Sequence, residues 1–157
     1  MMCNSLIFHR GDAEKTINDS MIWRIKHMSI PVGAKGTVEG IVTDQLTAAA
    51  VGSGSIEVFA TPYMVAAMEN AACNALRPYY EEGENSVGTK LDISHDAATP
   101  VGMKYRAEAE VVEVDRRRIV LKVAAYDEAG LIGQGMHERF IINSEKFLAK
   151  TEAKKAK

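Results

Sequence analysis

Three side chains stand out for the chemistry they could do together: Thr61, Glu69 and His95. A carboxylate, an imidazole and a hydroxyl can between them take a proton from water, pass it on and hold a reacting group in place. On a helical wheel Glu69 falls at the edge of an apolar stripe, beside Val65, Ala72, Cys73 and Leu76. A carboxylate there is partly desolvated, which makes it a better base near neutrality. The same position suits a glutamate that only reaches outward to water. His95 follows Ile93 on an apolar strand face, where a histidine serves either as a catalyst or as a hydrogen-bonded core residue. Thr61 precedes Pro62 and suits the N-cap of a helix, where the dipole also favours negative charge. Taken singly, each residue has a structural explanation beside the catalytic one.

The elements that would position them are legible in outline. Thr61-Pro62 opens a helix, and Met64, Val65, Met68, Ala71, Ala72, Ala75, Leu76 and Tyr79 give it one apolar stripe. Pro78 and Gly83 end it. Before it, residues 35–46 alternate like a strand, and the small, Gly/Ser-rich residues 48–55 read as a flexible connection. After Gly83 the chain reads as strands. Val87, Thr89, Leu91, Ile93 and His95 are expected on one face. Residues 103–114 and 117–126 should pair through a tight turn at Asp115-Arg116, with a second turn at 127–130 leading into 131–143. Ser144 would cap a short closing helix through Lys150. One long helix within a run of antiparallel strands predicts an α+β layer arrangement, with several such folds open on pattern alone.

The chain has 157 residues, 46% apolar and 25% charged, and fits one soluble domain. Residues 1–27 show no sustained period and read as an extension; residues 28–150 form the expected domain and 151–157 a lysine-rich tail. A net charge of −2 offers no basic field for nucleic acid or an anionic membrane. No apolar run reaches the roughly 20 residues of a membrane span, and residues 1–10 lack the marks of a signal peptide. Two distant cysteines, Cys3 and Cys73, point to a reducing, cytoplasmic setting. The histidines and carboxylates do not fall at metal-ligand spacing, and Gly52-Ser-Gly54 is too short for a phosphate loop. No metal and no cofactor is expected.

Together the motifs resemble a known family. The stretch 58–73, with 76–80, Glu82-Gly-Glu84, Ser86-Val-Gly-Thr89, 94–100, 132–139 and Glu145-Lys-Phe147, is similar to the fluoroacetyl-CoA thioesterases of the hotdog fold. The resemblance runs from about Met28 to Lys150. It implies an antiparallel sheet wrapped around one long helix, a homodimer with active sites at its interface, and an acyl-CoA substrate whose CoA is released. It also implies that Thr61, Glu69 and His95 are catalytic, and that Gly88 and Arg139 contact the substrate. One segment departs from the pattern. The fluoroacetyl-specific member carries bulky aromatics before its Val-Phe-Ala-Thr segment, whereas Val51-Gly-Ser-Gly-Ser-Ile56 holds nothing larger than valine or isoleucine. A thioesterase for a small acyl group is expected, with the acyl group unassigned.

In that scheme Glu69 is nucleophile or general base, His95 moves the proton, and Thr61 orients Glu69 or the reacting group. The Gly88 N–H suits an oxyanion, because glycine lets a ligand approach the backbone. Arg139 either holds an anionic part of the ligand or pairs with Glu138 or another carboxylate, and His137 is a strand residue outside the chemistry. The alternative is a non-catalytic acyl-CoA-binding hotdog module, which would not need Glu69 and His95 together.

Overall fold

Alternation of small and polar residues makes residues 35–41 a strand with one usable inner face. In the computed structural model, which describes residues 30–156, this is β1 (Lys35–Ile41), with Gly36, Val38 and Gly40 turned inward. The expected extension over 1–27 lies outside the described residues. β1 ends short of the expected 46, in a 3-10 turn at Asp44–Leu46. The stretch expected to be a flexible connection instead holds one helical turn, α1 (Ala48–Val51). The Thr47 hydroxyl caps its start by accepting from the Ala50 N–H at 3.2 Å, and Gly52 closes it in the left-handed conformation.

The long helix is α2 (Thr61–Leu76). Its N-cap is Ala60, not Thr61, and no side chain caps it. Pro62 lies within the first turn, where its missing N–H costs nothing. Four further strands follow: β2 (Glu84–His95), β3 (Lys104–Asp115), β4 (Arg118–Asp127) and β5 (Gly130–Asn143). All pairings are antiparallel, in the order β1-β3-β4-β5-β2. The expected β3–β4 hairpin closes through Arg116-Arg117, with Arg116 at φ 56°. The last helix, α3 (Ser144–Glu152), is capped by Asn143 and not Ser144: the Asn143 side-chain Oδ1 accepts from the Lys146 N–H at 3.1 Å. It runs two residues past the expected end.

The core lies between α2 and the inner faces of the sheet. Met64, Met68, Ala71, Ala72, Ala75 and Leu76 pack against Ala107, Ala109, Val111, Leu121 and Val123. Alanines on both sides let helix and sheet approach closely. The approach is tightest at Gly36, where a Cβ would sit 2.2 Å from the Ala71 carbonyl oxygen and 2.3 Å from the Ala75 nitrogen. Asn74 secures the contact by donating to the Thr37 carbonyl at 2.9 Å.

β2 differs from its expected form in one respect that matters for the site. Its register with β5 slips at Thr89: Gly88 opposes Arg139, but Lys90 opposes Glu138. This bulge adds one unpaired residue and reverses the alternation beyond it. Ser86 and Gly88 therefore share the helix-facing side with Leu91, Ile93 and His95, and Val87 lies on the other face. β2 is also an edge of the sheet.

Replacing Gly36 by alanine should lower stability by about 1–3 kcal/mol, because helix backbone and not a flexible side chain occupies the space. Urea unfolding reads this; a loss below about 0.5 kcal/mol would show that α2 can retreat.

Candidate active site

Two groups of polar side chains face inward along β2, one at each end. The first is the pair Thr61 and His95. Because Ala60 takes the N-cap position, the Thr61 hydroxyl has no helix amide to serve, and it bonds His95 Nδ1 at 2.8 Å. The other ring nitrogen, His95 Nε2, is buried and has no partner among the described residues. Such a nitrogen is costly to bury unpaired, and one held ready for a reacting proton is the functional exception. Either tautomer is compatible with the Thr61 bond, because a hydroxyl donates or accepts.

The second group surrounds Glu69. Its carboxylate crosses from α2 to β2, where Oε1 lies 2.6 Å from the point a Gly88 Cβ would occupy. Only glycine permits that approach. The Glu69 side chain is 37% exposed, so water reaches it. Behind Oε1 stand His137 Nε2 at 3.7 Å and Arg139 Nη1 at 3.8 Å.

Arg139 is not a surface arm. It is buried, and its guanidinium donates to the Ser86 hydroxyl at 2.7 Å through Nε and to the Ser86 carbonyl at 2.8 Å through Nη2. Nη1 donates to His137 Nε2 at 3.1 Å. Its carboxylate neighbour is Glu69. The alternative partner, Glu138, lies on the opposite face and takes two bonds from Arg118, at 2.8 and 3.1 Å. The Ser86 hydroxyl also bonds the Tyr80 hydroxyl at 2.6 Å, and burial pushes the Tyr80 phenol above its ordinary value.

His137, Ser86 and Tyr80 are what the sequence reading missed. His137 is fully buried, and its ring bonds the Lys90 carbonyl through Nδ1 at 2.9 Å. Burial pushes its pKa below the ordinary value; the Arg139 charge adds to this, while the Lys90 carbonyl and Glu69 act in the opposite sense. Its available signal was the inward spacing His137-x-Arg139 on β5, which places both opposite Gly88 and Leu91.

Thr61, Glu69 and His95 do not converge within one chain. Thr61 and Glu69 are eight residues apart on α2, about 12 Å at the helical rise. Gly88 and His95 are seven residues apart on β2, roughly 20 Å along the strand. No cluster of metal-ligating side chains occurs among the described residues, and no helix there is long and apolar enough to cross a membrane.

Comparison with known proteins places this geometry. The profile of the fluoroacetyl-CoA-specific thioesterase family matches residues 42–145. A fluoroacetyl-CoA thioesterase from Streptantibioticus cattleyicolor is 47% identical over 98 residues, covering 62% of this chain and 70% of that protein. The solved structure of a variant fluoroacetyl-CoA-specific thioesterase holding fluoroacetate and CoA is 39% identical. It covers 74% of this chain and 98% of that one, with a TM-score of 0.71. A thioesterase superfamily member from Thermus thermophilus is 33% identical over 81% of this chain and 94% of its own, with a TM-score of 0.75. These relatives make the sheet and central helix a hotdog fold, as the sequence led one to expect.

Two outcomes follow from the geometry. Thr61→Ala removes no cap but breaks the bond to His95, so its cost in urea unfolding should fall to within about 0.5 kcal/mol of zero when made in a His95→Ala background. A loss near 1 kcal/mol that persists in that background would restore a capping role. His137 is held neutral in the folded chain, whereas the unfolded chain titrates near 6.5. The unfolded state therefore takes up the proton first as pH falls. The contribution of the neutral ring is complete above about pH 6.5 and is lost as pH drops toward the depressed folded value. Thermal melts from pH 7.5 to 5 should show His137→Gln losing less stability than the parent; equal slopes would contradict this.

Proposed function

As the chain belongs to the fluoroacetyl-CoA-specific thioesterase family, we propose that it hydrolyses a small acyl-CoA thioester to the free acid and CoA. Water is the other reactant, and no cofactor or metal enters the scheme. The observation that carries this reading is the Thr61–His95 bond, which leaves His95 Nε2 buried and without a partner among the described residues.

Glu69 acts on the thioester carbonyl, as nucleophile or as general base for water. His95 Nε2 transfers the proton that the departing thiolate takes up, and Thr61 fixes the plane of its ring. The Gly88 N–H is the donor for the carbonyl oxygen as it gains charge. Arg139 supplies a fixed positive charge beside Glu69. The acyl group stays unassigned within the small acyl class, since Val51 and Ile56 in the segment before Thr61 are both exposed and neither is aromatic. Cys73 has no disulfide partner among the described residues, which fits a reducing, cytoplasmic setting.

The separation of the two polar groups supports a homodimer with shared sites. A two-fold axis beside β2, midway between Gly88 and His95, would pair these edge strands antiparallel. Gly88 of each chain would then lie next to His95 of the other, both on inner faces. Pairing of this kind removes an exposed edge and closes the assembly. Each site would combine Glu69, Gly88 and Arg139 from one chain with Thr61 and His95 from its copy.

Two measurements test this. Glu69→Gln and His95→Ala should each lower turnover of the best acyl-CoA by at least about 100-fold, with binding little changed. A folded Glu69→Gln protein within threefold of the parent would refute the assignment. Refolding the two inactive variants together should restore about a quarter of parental activity, because half the dimers then carry one intact site of two. A mixture as inactive as its components would show that the sites are not shared.

A further inference from the structure

Arg139 donates and never accepts, so the nitrogen that receives its Nη1 proton must carry a lone pair. That nitrogen is His137 Nε2, at 3.1 Å. The Lys90 carbonyl accepts and never donates, so His137 Nδ1, at 2.9 Å, must carry the proton. The two partners together fix the ring as the neutral, Nδ1-protonated tautomer. A second proton on Nε2 would set donor against donor and cation against cation.

The ring is fully buried, and its Cε1 lies 3.0 Å from the point a Gly88 Cβ would occupy. It therefore shares the wall opposite Gly88 with Glu69 Oε1. Three of the guanidinium nitrogens of Arg139 are engaged: Nε with the Ser86 hydroxyl, Nη2 with the Ser86 carbonyl, Nη1 with His137. The Ser86 hydroxyl is itself held by Tyr80 at 2.6 Å. A guanidinium bound on three sides cannot swing toward a ligand, and its charge stays 3.8 Å from Glu69 Oε1.

We propose that His137 is a positioning residue for the hydrolytic reaction: as a neutral acceptor, protonated on Nδ1, it locks the Arg139 guanidinium against Glu69 across from Gly88. This rests on the hydrolase reading above and names the residues that set the reactive carboxylate in place. The Ser86–Tyr80 pair braces the guanidinium from the other side. Burial, which pushes the imidazole pKa down, keeps the acceptor available under ordinary assay conditions. The groups facing the ring are Glu69 from α2, Arg139 from its own strand and the Lys90 carbonyl from β2.

The test has two arms. In the unaltered protein, ¹⁵N-histidine NMR at pH 7 should show His137 neutral, with the proton on Nδ1. A ring protonated on Nε2, or on both nitrogens, overturns the proposal. In the second arm, His137→Phe keeps the ring and removes both polar atoms, while His137→Gln keeps an acceptor for Arg139. His137→Phe should lower kcat by about 10–100-fold with KM within about threefold, since small displacements of a reacting group cost that much. His137→Gln should recover kcat to within about fivefold of the parent. A folded His137→Phe protein with kcat within threefold of the parent overturns the proposal. Should that variant not fold, the tautomer and His137→Gln decide it, and a folded glutamine variant below a tenth of parental kcat overturns it. An unaltered protein that cleaves no acyl-CoA would sink the hydrolase reading instead, with the NMR arm still judging the network.

Discussion

The rest of the structure depends on how closely α2 lies against the sheet. At Gly36 helix backbone occupies the space that any side chain would need. The alanines at 71, 72 and 75 on the helix and at 107 and 109 on β3 keep that spacing along the core. Two consequences reach the site. Glu69, at the margin of the buried stripe, is brought near enough to β2 for its carboxylate to lie over Gly88. The helix lies mainly across β1 and β3 and meets edge strand β2 much less, so only its margin, through Thr61 and Glu69, reaches the inner face of that strand. A bulkier core would push α2 outward and carry Glu69 away from the strand it serves.

The bulge at Thr89 is the second constraint, and it acts on direction where the helix acts on distance. In an unbroken strand Gly88 and His95 would face opposite sides, because seven is an odd number of steps. One extra residue corrects the parity. Gly88 then faces Glu69, and His95 faces Thr61, on the same side of the sheet. Bulges near functional sites commonly re-aim a side chain in this way. Thr89 itself is tied down by a bond from its hydroxyl to the Glu138 carbonyl at 3.2 Å.

How much of this was legible beforehand differs by kind of interaction. Periodicity exposed α2, the β3–β4 hairpin and the strand run, since each buries one face over many residues. It could not show the bulge, because a single inserted residue leaves the alternation of 91, 93 and 95 intact and only shifts what precedes it. Thr61 looked like a cap because Thr-Pro suits a helix start; whether the hydroxyl serves the helix or a strand 34 residues later depends on tertiary contact. Glu69, His95, Gly88 and Arg139 were legible through family resemblance and not through pattern. His137 was passed over because the spacing His137-x-Arg139 says only that the two share a strand face. Its meaning comes from burial and from partners on β2.

Burying Arg139 needs a physical reason, since an arginine removed from water forfeits several kcal/mol of hydration unless its donors are satisfied. Here Ser86 supplies two acceptors and His137 a third, and the Glu69 carboxylate supplies the nearest opposite charge. None of the three acceptors is itself charged. A carboxylate in place of His137 would satisfy the same donor but would also neutralise the guanidinium and repel Glu69. A neutral imidazole holds the guanidinium in orientation and leaves its charge for the exposed carboxylate in front of it. That is why a histidine whose neutral form is enforced by burial suits this position better than a stronger base would, and why the polar wall behind Glu69 is made of hydroxyl, carbonyl and imidazole with one fixed cation among them.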